Sequence, residues 1–187
     1  MTEKLRQRRF DPERRSRIIG ATLEVIAKYG VAGTSHRIIA KSADIPLGSM
    51  TYHFKGMEEL LNEVFSNFAE KGASYLRQRM GKARSADEAL DMLVEVATDN
   101  IWASQKNMAV LYEFYSSAVR APALRSVLHR WNQATQDCLQ QHFTIQASRS
   151  IHTALEGILL QRYLDPEDAM SAEEVRLMFL GVLNTFK

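Results

Sequence analysis

Apolar residues recur at three- and four-residue spacing from Ile18 almost to the C-terminus, and no stretch alternates apolar and polar residues between turn signals. A chain patterned this way must bury helix faces against one another, so the sequence specifies an all-α fold. Its 187 residues suffice for a proper core in one domain or two small ones, and its apolar runs are too short to cross a bilayer. The N-terminal stretch MTEKLRQRRFDPERR is basic but leads into no apolar segment of the signal-peptide kind, which implies a cytoplasmic protein with no membrane partner. The single cysteine, Cys138, cannot form an internal disulfide and reads as a small buried hydrophobe.

Punctuation residues divide the pattern into about nine helices. Asp11-Pro12 opens the first, which ends at Tyr29 before Gly30 and buries Ile18, Ala21, Thr22, Val25, Ile26 and Tyr29. Ser35 caps a short second helix, residues 43–46 turn the chain, and Leu47 to Phe54 form a third. A long fourth helix begins near Gly56 and ends around Gly81. Ser85 with Glu88, and Ser171 with Glu174, have capping-box spacing and start the fifth and ninth, the fifth running to about Ser104. The sixth covers roughly Asn107 to Val119, Pro122 starts the seventh, and the eighth carries Ile151 and Leu155. The sequence divides into residues 1–56, with a basic N-terminal arm, and residues 57–187, which are helical throughout.

Charge is unevenly distributed between these parts. Residues 1–60 hold eleven Lys and Arg against seven Asp and Glu, whereas the remainder is slightly acidic. The basic end is where a polyanion would bind, and the arm with Lys4, Arg6, Arg8 and Arg9 is expected to be disordered without DNA and to add affinity on binding. Residues 34–60, TSHRIIAKSADIPLGSMTYHFKGMEEL, supply the local signal. Ile38, Ile39, Ala40 and Ala43 would hold one short helix against the next, Ile45 plugs the turn, and Met50 and Phe54 anchor the second helix. Leu47, Gly48, Ser49, Thr51, Tyr52 and His53 then face outward, small or polar enough to enter a major groove.

The capped helix, the Ile39-Ala40 pair, the small-residue turn, the Gly48, Tyr52 and Phe54 helix, and the Lys55 to Glu59-Leu60 run together resemble the TetR family of transcriptional regulators, over about residues 14–65. Within it, residues 34–54 look like the enterobacterial regulators called RcdA-like. The resemblance implies a dimeric repressor of a palindromic double-stranded operator, with residues 1–56 as a helix-turn-helix DNA-binding domain with a basic arm and 57–187 as a helical regulatory and dimerisation domain. It places Ser35 on a phosphate with His36 beside it, Arg37 on a base, Leu47, Gly48 and Ser49 at bases or the adjacent phosphate, and Tyr52, His53 and Lys55 on the DNA backbone. Two positions depart from the family pattern: Thr51 where an aromatic is usual, and Met57 where lysine is usual, which leaves the fourth helix only its N-terminal N–H groups and dipole for a phosphate.

The histidines lack metal-ligand spacing, there is no Gly-rich phosphate loop, and Gly48-Ser49-Met50 lacks the second glycine of a nucleophile elbow. The chain is therefore not read as an enzyme, and no cofactor is expected. Leu93, Ala97, Trp102, Leu111, Tyr112, Tyr115, Leu128 and Trp131 could wall a pocket for a small-molecule effector, or simply form a helical core. A ligand-independent DNA-binding factor controlled by a protein partner or by abundance is the alternative. In the last two helices, Ile151, Leu155, Ile158, Leu159, Val175, Met178, Phe179, Val182 and Leu183 form apolar rows that invite a second copy, as the corresponding pair does in the family.

Overall fold

The computed structural model describes residues 13–99 and 101–186. The Asp11-Pro12 cap and the arm residues Lys4, Arg6, Arg8 and Arg9 lie outside them. Among the described residues there are nine helices and no strand: α1 Arg14–Tyr29, α2 His36–Ser42, α3 Leu47–His53, α4 Met57–Met80, α5 Ala86–Thr98, α6 Gln105–Arg120, α7 Pro122–Leu139, α8 Ile145–Leu164 and α9 Ala172–Thr185. No helix among them is long and apolar enough to cross a membrane.

Local chemistry sets the boundaries. Ser35, Ser85 and Ser171 cap α2, α5 and α9, each accepting from the backbone N–H three residues on, and Ser171 with Glu174 completes a reciprocal capping box. Glu88 instead accepts the Arg84 N–H at 2.7 Å, one residue before its cap. Helix α5 stops at Thr98, short of the expected Ser104, because Asp99 leaves the helix: its Oδ1 accepts the Ile101 N–H at 3.1 Å while Oδ2 accepts from the Tyr75 hydroxyl and from Arg79, both at 2.9 Å. Ser104 then caps α6.

Helix α4 is the spine, packing most extensively on α7 and also on α1 and α5. Its Leu60, Val64 and Phe65 are inaccessible to solvent. Phe65 stacks on Phe114 of α6 with centroids 4.7 Å apart, and Phe114 lies nearly parallel to Trp131 of α7 at 6.2 Å. Removing the fully buried Phe114 ring to alanine is worth about 3–5 kcal/mol by analogy with other core aromatics. Helix α6 also holds α1: Glu113 accepts the Val31 N–H at 2.8 Å, and Lys106 pairs with Glu24. This contact requires Gly30, whose φ of 69° and ψ of 172° suit glycine alone and where a Cβ would lie 2.9 Å from Glu113 Oε1.

Two sequence expectations change with helix rotation. Ile38 and Tyr29, expected inside, are exposed, while Ile39, Ala40 and Ala43 carry the α2 contacts. The apolar rows of α8 and α9 are largely consumed within the protomer, because α9 packs on α5 and α8 while α8 packs on α5, α6 and α7. Ile151, Val175 and Phe179 are inaccessible, Leu155, Ile158 and Leu159 nearly so, and Met178, Val182 and Leu183 half-buried. The six buried members therefore cannot themselves form a surface presented to a second copy. What α8 and α9 turn outward is Ile145, Leu164 and Leu177, with Gly157 and Gly181 open beside them.

Candidate nucleic-acid interface and ligand cavity

Helices α2 and α3 pack directly on each other, and the chain between them passes through Asp44 at φ 50°, a conformation that Asp tolerates better than most residues. Met50 and Phe54 sink into the core and thereby fix the rotation of α3. Leu47, Gly48, Thr51 and Tyr52 face outward, Tyr52 at 85% exposure, with Ser49 and His53 half-buried. Nothing lies within 4 Å of the Cβ position of Gly48, so this flank of α3 can approach another surface closely. The Thr51 hydroxyl donates to the Gly48 carbonyl at 3.1 Å, which satisfies it locally. At the start of α2, Arg37 is exposed, but His36 Nε2 is shielded from solvent with no hydrogen-bond partner.

The end of α3 is held by Arg15, the last residue of the basic stretch MTEKLRQRRFDPERR. Arg15 Nη1 donates to the His53 carbonyl at 2.6 Å, its Nε donates to Glu63 Oε1 at 2.9 Å, and its guanidinium lies 4.4 Å from the centroid of the Phe54 ring. Glu59 is within 3.8 Å of the same guanidinium and also accepts the Lys55 N–H at 2.8 Å. One cation thus joins α1, the last turn of α3 and the first turns of α4, and the Lys55 side chain is left exposed. The hydrogen bond to Glu63 leads in keeping the Arg15 pKa above its ordinary value. Burial, then the charges of Arg14 and Arg15, holds the His53 pKa below its ordinary value. Arg15→Ala is expected to cost about 1 kcal/mol of stability, since the pair is partly solvated, yet to weaken DNA binding more than that by loosening α3. Parallel melting and DNA-binding titrations would check this.

A cavity of about 70 Å³ lies between α4, α6, α7 and α8. Tyr75, Trp102, Tyr115 and Trp131 supply its aromatic walls, Leu111, Leu155 and Leu159 aliphatic ones, and Asn132, Thr135, His152 and Glu156 its polar groups. It exists where it does because α4 has a glycine there: a Cβ on Gly72 would lie 2.6 Å from Trp131 Cζ2 and 2.8 Å from Trp102 Cζ2. Glu156 accepts from the Tyr115 hydroxyl at 2.6 Å and lies 3.4 Å from His152 Nε2, while Gln136 Nε2 is 3.2 Å from His152 Nδ1. Burial opposes ionisation of Glu156, but the His152 and Tyr115 hydrogen bonds outweigh it and hold its carboxyl below the ordinary carboxylate range. Burial first, then the nearby Glu156 charge, pushes the Tyr115 phenol far up, and Tyr112 up to about 12.

Residues 18–64 match the family model for bacterial regulatory proteins of the tetR family, and residues 81–185, over half the chain, match that for the tetracyclin repressor-like C-terminal domain. The chain belongs to the TetR family. Among curated TetR-like relatives, the HTH-type transcriptional regulator BetI 1 of Chromohalobacter salexigens is 26% identical over 167 residues, covering 84% of this chain and 83% of its own. Among solved structures, SCO7518 of Streptomyces coelicolor A3(2) is 34% identical with a TM-score of 0.85, over 92% of this chain and 99% of its own. The multidrug binding protein EbrR, complexed with ethidium, is 31% identical with a TM-score of 0.75 over the same shares. The finding supports the family rather than the RcdA-like subgroup read from residues 34–54.

For this TetR-family regulator, the sequence-derived pocket set divides. Trp102, Leu111, Tyr115 and Trp131 line the cavity; Leu93 and Ala97 are inaccessible core; Tyr112 stacks with Tyr163 at 6.4 Å; Leu128 packs against the core. Sequence reasoning missed Gly72 and Tyr75 on α4 and the His152 and Glu156 pair on α8. A signal for the latter was present: Ser148, His152 and Glu156 repeat at four-residue spacing within an otherwise apolar helix face. Cys138 is buried, and burial raises its pKa, consistent with an unreactive thiol.

Proposed function

We propose that the protein is a cytoplasmic homodimeric repressor that binds a palindromic operator through α2 and α3, and that a small apolar or amphipathic molecule in the cavity releases it. In this reading residues 1–56 form the DNA-binding domain and 57–187 the regulatory and dimerisation domain. The observation that carries the proposal is the reach of α4. Its first turns hold Arg15 through Glu59 and Glu63, and thereby the end of α3, while Gly72, Tyr75 and Leu76 further along line the cavity. Thirteen residues of continuous helix, roughly 20 Å, connect Glu59 to Gly72. Rings that move in the cavity must therefore tilt the element that positions the recognition helix. The Phe114 stack and the Glu113 contact to Val31 offer α6 as a second connection. A coupling of about 1–3 kcal/mol would change operator occupancy roughly 5- to 150-fold, provided the ligand binds the released form more tightly. That a family member of similar fold is complexed with ethidium supports a ligand in this region.

A two-fold dimer supports operator binding because it presents two α3 helices to successive major grooves, with half-sites about 34–36 Å apart. The outward sides of α8 and α9 around Leu164, Leu177 and Gly181 are the proposed interface, in place of the buried rows. Footprinting and titration with operator variants test the DNA-binding reading. Arg37→Ala should relax sequence preference and cost about 1–3 kcal/mol, whereas Lys55→Ala should weaken all sequences alike and reduce the salt slope by about one. A single asymmetric footprint, or unchanged specificity in Arg37→Ala, would refute it. Loss of operator affinity when a compound saturates the tryptophan signal tests the release.

A further inference from the structure

The cavity's chemistry narrows the kind of molecule it can hold. Four aromatic residues, Tyr75, Trp102, Tyr115 and Trp131, contribute to its walls, with Trp102 and Trp131 edge to face at 6.3 Å and Tyr75 stacked on Trp102 at 6.0 Å. Indole and phenol faces carry negative electrostatic potential, and an organic cation within about 6 Å of such a ring gains roughly 0.5–2 kcal/mol, most where water is excluded. Neutral apolar ligands gain nothing comparable from the quadrupole.

The second observation is the acid. Glu156 lines the same cavity, its carboxylate accepting from the Tyr115 hydroxyl at 2.6 Å and facing His152 Nε2 at 3.4 Å. Among the described residues no lysine or arginine lines the cavity. The other nearby carboxylate, Asp99, is already paired with Arg79 at 2.9 Å and bonded to Tyr75. Glu156 is thus the one carboxylate among the cavity's lining residues, and its surroundings favour the ionised form. Its negative charge is presented to whatever enters the cavity, and a cation gains from it where a neutral molecule does not.

We propose that the cavity selects a small organic cation, with its ammonium group against the aromatic walls and its charge countered by Glu156. A volume of about 70 Å³ exceeds what one water needs and suits a compact alkylammonium head, with any larger body displacing side chains. An anion would meet Glu156 without compensation. This deepens the effector reading above and rests on it only for the consequence of binding, since selectivity is a property of the cavity alone.

Three probes of similar size and differing charge test it on the full-length protein: benzyltrimethylammonium, benzyl alcohol and phenylacetate. Binding is read by intrinsic fluorescence, since Trp102 and Trp131 both stand in the cavity wall and are the chain's two tryptophans. The cation should quench saturably and bind about tenfold or more tightly than the alcohol, with phenylacetate weaker still. Glu156→Gln keeps the shape and removes the charge; it should erase most of the cation's advantage while benzyl alcohol still binds as in the wild type. Equal affinity for cation and alcohol, tighter binding of phenylacetate, no cation binding at millimolar concentration, or an unchanged cation preference in Glu156→Gln overturns the inference. Operator release is measured separately with the same probes. Cation binding that leaves operator affinity unchanged would end the effector reading but not the selectivity, and release by benzyl alcohol without cation preference would do the reverse.

Discussion

Leu177→Arg should yield a folded monomer that has lost most of its operator affinity, whereas Phe179→Arg, two residues away, should unfold the protomer itself. The two side chains sit on opposite sides of α9. Leu177 is 61% exposed, one turn from the open surface of Gly181, while Phe179 is inaccessible where α9 packs on α5 and α8. An arginine at 177 costs the isolated protomer almost nothing, since it remains in water. Across a two-fold axis it would oppose its own copy in a desolvated contact, where two like charges cost several kcal/mol. An arginine at 179 removes a core ring and places an unpaired charge in its site; each costs about 3–5 kcal/mol, together comparable with the whole stability of a domain. Sedimentation combined with thermal melting separates the outcomes. A dimeric Leu177→Arg protein, or a wild-type monomer at micromolar concentration, would move the interface elsewhere.

That contrast also marks how far the sequence could be read. Helix number, the capping box at Ser171 and Glu174, and the anchors Met50 and Phe54 were all legible, because each depends on residues within a few positions of one another. The rows on α8 and α9 were visible too, but a row states only that a face is buried, not whether the covering belongs to the same chain. Here the protomer's own helices cover Ile151, Val175 and Phe179. Arg15 was hidden for a related reason. A basic residue in a basic stretch looks like a phosphate contact, and only the fold brings Glu63, forty-eight residues away, to its guanidinium. The cavity required the convergence of α4, α6, α7 and α8; its aromatic half was legible as a cluster of large residues, whereas Glu156 was marked only by its four-residue spacing from His152 and Ser148, and its place beside Tyr115 depends on the fold. What survives from sequence alone is what local chemistry decides.

The outward flank of α3 belongs to that locally decided class, and a substitution there has the other large expected effect. Gly48→Glu should abolish specific operator binding, by about 100-fold or more, while leaving the melting temperature unchanged or slightly raised. The structural cost is small because Gly48 is exposed and its Cβ position meets nothing within 4 Å. Replacing a helical glycine recovers about 0.5–1 kcal/mol of backbone entropy, and a carboxylate in the first turn of α3 interacts favourably with the free N–H groups there. On DNA the same side chain is misplaced twice. It holds α3 away from base edges that Leu47 and Ser49 would otherwise approach, and it brings negative charge among phosphates and groove acceptors. Losing the close approach forfeits base contacts of about 1–3 kcal/mol each, so a loss beyond 100-fold, about 2.7 kcal/mol, needs only two of them. Gly48→Ala separates bulk from charge: a single methyl in open space should reduce affinity by less than about tenfold. Fluorescence anisotropy with operator and non-operator duplexes, at two salt concentrations, measures all of this. If Gly48→Glu retained operator affinity within tenfold of wild type, α3 would not be the helix that enters the groove, and the DNA-binding assignment of residues 47–53 would have to be withdrawn.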